Sequence, residues 1–225
     1  MGKEQIIVLN SSPRKIALSG WLKKHHEKEF LSPLKFQKFL FFYETLSIVD
    51  KDYYELKRLR GYMQGPVFSD VYGDYKHEKE IFCKEAQKTY SCNKKMINND
   101  RAKLSSFLVR ILTASELSDL THEFNIWKAK ENKIRPSMKN VSLNIKDFNK
   151  HDVAMLTTMK KAYPISYIDS VEIIEESGKI FLLKKSDMIK LNENSEYAFF
   201  ALSKENSLQN PVYVSVSDDG VLLVD

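Results

Sequence analysis

The sequence predicts an α+β protein in which a compact, mostly helical domain over residues 1–164 precedes a small, acidic, β-rich module over residues 165–225. Helical spacing of apolar residues dominates the first part, and two-residue alternation replaces it after Pro164. The balance of charged residues changes at the same place. Residues 1–164 hold 30 Lys and Arg and 19 Asp and Glu, whereas residues 165–225 hold 5 Lys and Arg and 11 Asp and Glu. At 225 residues and 43% hydrophobic, the chain is long enough to bury a core.

The N-terminal region is predicted to contain a short strand and two helices. Residues 6–9 are an apolar run typical of a strand, and a helix is expected over about 14–29. The clearest helix begins at Ser32, a good N-cap, and Pro33, which suits the first helical position. Its apolar side chains cover most of its circumference, which is typical of a helix buried in a bundle. They are Leu34, Phe36, Phe39, Leu40, Phe41, Phe42, Tyr43 and Leu46.

Gln37 and Tyr43 are the most notable polar residues of this helix. The helix is expected to end at the segment 50–52. In a buried helix such side chains either satisfy hydrogen bonds within the core or serve a function. The sequence leaves both interpretations open for these two residues.

The middle of the chain is predicted to contain a turn, a short helix and an irregular segment. Gly65-Pro66 marks the turn, and Ser69 is expected to cap a short helix that carries Tyr72. Residues 76–99 are rich in Lys and Asn and have few apolar positions, so we expect an irregular excursion there.

Three further segments complete the helical domain. Asp100 is expected to cap a helix with apolar residues at i, i+3, i+4, i+7 and i+8, and Ser115 to cap the next one. Residues 132–146 contain Pro136 and predict a loop, and a last helix is expected over about 147–162.

Two hairpins are predicted in the C-terminal module. Alternating residues at 171–173 and 179–182 flank a turn at Ser177-Gly178. The segment 218–220 is Asp-Asp-Gly between two β-branched runs, which is the strongest short-range hairpin signal. A short helix is expected near 186–191.

Motifs for catalysis or metal binding are absent from the sequence. The seven glycines form neither standard phosphate-binding loop, and the chain has no C-x-x-C, no H-E-x-x-H and no zinc spacing among its five histidines. His122 and Glu123 have the side chains of a general acid–base pair. Such a pair more often connects the end of a helix to a neighbouring element. Cys83 and Cys92 lie in a polar, Lys-rich stretch that is typical of a solvated loop and not of a preorganised catalytic pocket. We therefore expect a non-catalytic protein without cofactor or metal.

The apolar runs are too short for a signal peptide or a bilayer span, the longest being Phe39–Tyr43. Two cysteines do not make a disulfide framework in a chain of this length. These features predict a cytoplasmic protein with reduced thiols and no membrane partner.

A basic cluster leaves nucleic-acid binding open as an alternative. Residues 57–60 are Lys-Arg-Leu-Arg, and Tyr53, Tyr54 and Tyr62 flank them. Basic residues interleaved with aromatic ones suit phosphate contact and base stacking. The net charge of +5 is modest, however, and no helix-turn-helix signature is present.

Three sequence blocks carry a family resemblance. The first is Leu34–Tyr43, the second is Tyr62–Tyr72 with G-P-V-F-S-D-V-Y, and the third is Leu117–Glu123 followed by Trp127 and Ala129. In this order and spacing they resemble the Panacea domain, the SocA-like antitoxin family, whose members are also described as phage-associated or GepA-like proteins. The family pattern is approximately L-Q-K-L-L-Y-F, then G-P-V-x-x-x-V-Y, then L-T-H-x-x-x-x-W-x-x-A.

The resemblance covers about residues 14–163 and implies a compact helical domain. The chain departs from the family pattern at Phe36, where Leu is usual, and at Arg60–Gln64, which replaces the acidic and aromatic residues that usually precede the second block.

The resemblance implies an antitoxin that works by binding. Family members bind and neutralise diverse toxins encoded beside them, and at least one is an adaptor that delivers its toxin to a protease, so both modes of action stay open. A nucleic-acid-binding regulator of a phage or mobile element is the alternative.

The resemblance also implies that Tyr72, His122 and Trp127 converge near a rigid turn at Gly65-Pro66. The expected core residues are Phe39, Phe42, Tyr43 and Leu108. The expected motif or partner-binding residues are Gln37, Tyr43, Gly65, Pro66, Val67, Tyr72, His122 and Trp127.

The sequence leaves two roles open for the β-rich module. Its exposed strand edges could carry the toxin contact, or the module could extend the helical core. Its acidic surplus would suit a basic toxin directed at nucleic acid.

Overall fold

A computed structural model describes residues 8–137 and 140–224. The helices are α1 (Pro13–His25), α2 (Glu27–Leu31), α3 (Pro33–Val49), α4 (Ser69–His77), α5 (Lys79–Cys92), α6 (Asn99–Arg110), α7 (Ala114–His122), α8 (Asn125–Lys128), α9 (Glu131–Ser137), α10 (Lys150–Ala162), α11 (Ile165–Ser170) and α12 (Ser195–Ser203). The strands are β1 (Leu59–Tyr62), β2 (Gly65–Phe68), β3 (Val141–Ser142), β4 (Val171–Glu176), β5 (Lys179–Lys184), β6 (Val212–Val216) and β7 (Leu222–Val224).

A helical region followed by a C-terminal sheet confirms the predicted α+β class. The strand predicted at residues 6–9 lies partly outside the described residues, and Val8 and Leu9 have no regular structure.

Helix α3 is the centre of the helical domain. Pro33 occupies its first position and Asp50 is its C-cap, as the sequence predicts. Every residue from Phe36 to Ser47 is buried, because α1, α6, α10 and β2 pack around this helix. The four expected core residues are between 0 and 2% exposed; they are Phe39, Phe42, Tyr43 and Leu108.

The prediction of an irregular excursion over residues 76–99 is wrong, because α5 occupies most of that segment. The buried residues of α5 are Phe82, Ala86 and Tyr90, which recur every four residues. They form a single narrow stripe that packs on α1. Most of the other residues of the helix are polar and none of them is buried, which is why its composition concealed it.

The predicted turn at Gly65-Pro66 is displaced. β1 and β2 form an antiparallel hairpin whose turn residues are Met63 and Gln64, so Gly65 and Pro66 begin the second strand. The loop predicted over 132–146 is also wrong, because it contains most of α9 and all of β3. β3 pairs with the other side of β1, which leaves β2 at the edge of this sheet.

Three predicted helix caps are wrong. Ser69 is the first residue of α4 and not its cap, and its hydroxyl donates a hydrogen bond to Arg58 O at 3.1 Å. At the other two helices a nearby side chain caps the backbone instead. Asn98, not Asp100, caps α6 by accepting a hydrogen bond from a backbone N–H of the first turn. Thr113, not Ser115, caps α7 through a capping box with Glu116.

Other predicted helices differ in extent. The helix expected over 14–29 is two helices, α1 and α2, with His26 between them. The helix expected over 147–162 begins at Lys150. The short helix expected near 186–191 is a 3-10 helix at Lys185–Lys190, whereas α11 and α12 were not predicted. Within the described residues, none of the helices combines the length and the apolar character that a bilayer crossing requires.

The C-terminal strands form one sheet in the order β4-β5-β6-β7. Both predicted turns are confirmed, at Ser177-Gly178 and at 218–220. Strands β5 and β6 are parallel, and α12 lies in the connection between them. Phe181 and Leu183 of β5 belong to a small separate core, whereas Leu182 belongs to the core of the helical domain. Alternate residues of β5 therefore serve two cores and attach the sheet to the helices.

Candidate functional site

The three sequence blocks meet at the hairpin formed by β1 and β2. The first block, in α3, places Gln37 and Lys38 against the outer edge of β2. The third block, in α7 and α8, places Trp127 against the end of β1, where its Nε1 donates a hydrogen bond to Tyr62 O at 3.0 Å. The second block is the turn and β2 itself. Residues far apart in sequence thus define one site.

Side chains of α3 satisfy the free edge of β2. The backbone N–H of Phe68 donates to Gln37 Oε1 at 2.8 Å. Lys38 Nζ donates to Gln64 O at 2.5 Å and to Pro66 O at 3.4 Å. Proline has no N–H to leave unpaired, which suits the edge position of Pro66. The edge is therefore closed by a helix rather than by another strand.

Gly65 is required at this site for two physical reasons. Its φ of +96° lies in the left-handed region that side chains disfavour. A Cβ at this position would also overlap Lys38 Nζ and Thr121 Oγ1. The glycine therefore lets α3 and α7 approach the hairpin from two directions.

His122 and Trp127 form a stacked pair behind the hairpin. Their ring centroids are 3.9 Å apart, with an interplanar angle of 25°. Burial lowers the pKa of His122, and the nearby charges of Lys38 and Arg135 lower it further. Burial therefore favours the neutral form of the imidazole. Its Nε2 is buried and has no hydrogen-bond partner among the described residues.

Replacing His122 by alanine is expected to lower the free energy of unfolding by about 1 kcal/mol, because the stack on Trp127 is lost. Thermal denaturation followed by circular dichroism measures this as a fall in Tm of about 2 to 4 °C. His151→Ala is the matched control, since His151 is exposed, and its Tm should not change. An unchanged Tm for the His122 variant would contradict the structural role and favour the acid–base hypothesis.

A pocket of about 440 Å³ opens beside the hairpin turn. Its lining combines apolar and aromatic side chains with a few polar groups, and consists of Pro33, Leu34, Gln37, Lys38, Tyr62, Met63, Gln64, Val67 and Tyr72. Lys38 is the one charged residue in that lining. Gln37 is 2% exposed, and its Nε2 has no hydrogen-bond partner within the described part of the chain. The pocket therefore presents hydrogen-bond donors, and the described residues that line it include no carboxylate.

Five of the eight predicted site residues lie at the pocket or on the strand beside it. Gln37, Val67 and Tyr72 line the pocket, and Gly65 and Pro66 belong to the strand beside it.

The expected convergence holds in part for the remaining residues. His122 and Trp127 support the hairpin but do not line the pocket with Tyr72. Tyr43 lies elsewhere, because its hydroxyl accepts a hydrogen bond from Asn98 N at 2.9 Å. Tyr43 is therefore buried with its hydroxyl hydrogen-bonded, as the first of the two interpretations expects.

Sequence reasoning missed several residues of the site, including those around Gly65 and in the turn. Lys38 and Thr121 flank Gly65, while Met63 and Gln64 make the turn. A signal for Lys38 was available, because a lysine in a helix that is apolar nearly all round must be buried or must interrupt the packing.

The two residues of the alternative catalytic pair have different partners. Glu123 bonds to Lys128 Nζ at 3.0 Å, and the His122 ring stacks on Trp127. Over residues 8–137 and 140–224, no group of three or more His, Cys, Asp or Glu side chains could hold a metal ion.

The fold divides the predicted basic and aromatic cluster. Tyr53 is 65% exposed, and the Arg14 guanidinium lies 5.3 Å from its ring centroid. Lys57 borders the same groove, but so does Glu55, which opposes phosphate binding. Tyr62 lies at the hairpin pocket instead.

Comparison with protein-family models, curated proteins and solved structures gave no match to this chain.

Proposed function

We propose that the protein is an antitoxin-like binding protein, which neutralises a protein toxin encoded beside it and catalyses no reaction. The observation that supports this best is the meeting of the three antitoxin-like sequence blocks at one hairpin and its pocket. A cytoplasmic location is part of the proposal.

The hairpin surface has the chemistry of a protein-binding site. Met63 at the turn is 40% exposed, and Tyr62 and Tyr72 line the adjoining pocket. Protein interfaces are enriched in aromatic residues and Met, and their binding energy concentrates where such anchors surround a few buried polar groups. Gln37 and Lys38 supply those polar groups here.

Co-expression with the adjacent gene tests the proposal in a host that lacks both genes. We expect the neighbouring gene to stop growth alone and this protein to restore growth. Immunoblotting of the toxin separates the two modes of action, because direct neutralisation leaves its abundance unchanged and delivery to a protease lowers it. A neighbouring gene without effect on growth would contradict the proposal.

Met63→Glu is expected to abolish growth rescue, because a charge at the hairpin turn opposes burial of that surface against the toxin. Affinity of the purified pair should fall by about 100-fold, as for the loss of an interface hot spot. Met96→Glu is the matched control, since Met96 is 43% exposed and lies outside the hairpin pocket. Rescue by the Met63 variant at the wild-type level would place the toxin contact elsewhere.

Nucleic-acid binding is the second candidate, and the exposed Tyr53 beside Arg14 favours it. It predicts an affinity for single-stranded RNA or DNA that falls steeply as salt increases. A fluorescence-anisotropy titration at several salt concentrations measures this, and a flat response would remove the candidate.

A further inference from the structure

Lys38 differs from the other buried cations of the described chain in having no carboxylate partner. Lys15 Nζ lies 3.1 Å from Asp70 Oδ2, and the Arg101 guanidinium lies 3.0 Å from Asp50 Oδ2. Lys38 is 1% exposed, and its hydrogen-bond partners among the described residues are backbone carbonyl oxygens. A buried cation without a counter-charge is unfavourable unless something supplies one.

The space for a counter-charge adjoins Lys38. The pocket at the hairpin turn is lined by Lys38 and Gln37, and Gln37 Nε2 is a buried donor that lacks an acceptor among the described residues. Leu34, Met63 and Val67 are apolar parts of the same lining. One cation and one amide donor match the two oxygens of a single carboxylate.

We propose that this pocket binds a carboxylate group of the protein partner, with Lys38 and Gln37 as its donors. This inference rests on the proposed function, because it names the partner chemistry that the hairpin site recognises. The Lys38 ammonium pairs with the negative charge, and the Gln37 amide donates to an oxygen. The apolar lining packs against the aliphatic stem that carries the carboxylate. Binding would also supply the missing counter-charge and raise the pKa of Lys38, which burial lowers in the free protein.

The carboxylate could belong to an Asp or Glu side chain or to a chain terminus, and two small probes separate these sources. N-acetylglutamate α-amide offers a side-chain carboxylate, and N-acetyl-leucine offers a terminal one. Their neutral counterparts, N-acetylglutamine amide and N-acetyl-leucinamide, are the matched controls. NMR titration follows the Gln37 side-chain amide resonance, and a thermal shift gives a second measurement.

We expect at least one acid to bind in the millimolar range and about tenfold or more tightly than its neutral counterpart. The Gln37 amide resonance should move with the acid and stay in place with the amide. The acid should also raise Tm at about 50 mM, because a ligand that binds only the folded state stabilises it.

Two variants locate the effect. Lys38→Met keeps the length of the side chain and removes the charge, so acid binding should be lost. Lys35→Met is the control on the same helix, since Lys35 lies near Glu29 and outside the pocket. It should bind the acid as the wild type does.

Several results would overturn the inference. They are equal binding of acid and amide, retained binding in Lys38→Met, or a Gln37 resonance that neither acid moves at about 50 mM. The last of these needs no variant. The probes work without a toxin, so probe binding together with failed growth rescue would reject the proposed function alone. Rescue without probe binding would reject only the carboxylate site.

Discussion

Gly20→Ala is expected to destabilise the protein by about 3 kcal/mol, although alanine is the better helix former by about 1 kcal/mol. Gly20 lies in α1 where α5 crosses it. An added Cβ would lie 2.7 Å from Ala86 C and from Tyr90 Cβ, and closer still to Ala86 O. Because backbone atoms cannot rotate away, the two helices must separate. Urea denaturation followed by circular dichroism measures the loss as a lower midpoint.

Gly73→Ala is the matched control, because Gly73 is also helical but has nothing within 4 Å of an added Cβ. It should stabilise the protein by about 0.5 to 1 kcal/mol through helix propensity alone. One substitution at two helical glycines thus has opposite expected signs. Equal midpoints for the two variants would contradict the close packing of α1 on α5.

The sequence predicts a helix well when the helix has more apolar residues than one of its faces can hold. Helix α3 is apolar nearly all round and begins with Ser32 and Pro33, so both its extent and its burial could be predicted. Helix α5 buries only a stripe of three residues, and Lys and other polar residues dominate its composition. Its partner on α1 includes Gly20, a residue that contributes no hydrophobic signal.

The first hairpin could not be predicted from local patterns. β1 is four residues long and includes Arg60 and Gly61, and β2 contains Pro66, which normally argues against a strand. The hydrogen bonds that close its edge come from Gln37 and Lys38, about thirty residues earlier in the chain. A strand that depends on side chains of a distant helix leaves no periodic signal of its own.

The candidate site was predicted in part, because a motif shows which residues belong together but not which way they face. Gln37, Gly65 and Tyr72 lie at the hairpin and its pocket, whereas Tyr43 lies in the core. Successive residues of a helix point about 100° apart, so a block in α3 necessarily serves several neighbours. The position of Lys38 in a helix that is apolar nearly all round indicates burial, but it does not show that the charged group lies at the edge of a strand about thirty residues later.

Lys38→Met is expected to raise the free energy of unfolding by about 1 to 2 kcal/mol at pH 7. The substitution removes a buried charge that lacks a carboxylate partner among the described residues, and methionine fills a similar volume. The gain is limited because Gln64 O and Pro66 O lose the Nζ donor. Urea denaturation of both proteins measures the difference directly.

The same substitution should alter the pH dependence of stability. Burial lowers the pKa of Lys38 well below its ordinary value of 10.5, so the unfolded chain binds more protons between the folded and unfolded pKa values. The Lys38 contribution to stability therefore rises with pH in that window. The advantage of Lys38→Met should shrink as pH increases from 7 towards 10.5. Comparing the two proteins at each pH cancels the titration of groups that they share.

A lower midpoint for Lys38→Met, with no change in pH dependence, would mean that the lysine acts as a structural clamp on the hairpin. A more stable variant that no longer rescues growth would mean the opposite. In that case the unpaired charge destabilises the free protein and is retained for the partner, which is the usual conflict between stability and function at a binding site. The stability and rescue measurements on this one variant therefore decide between a folding role and a binding role for Lys38.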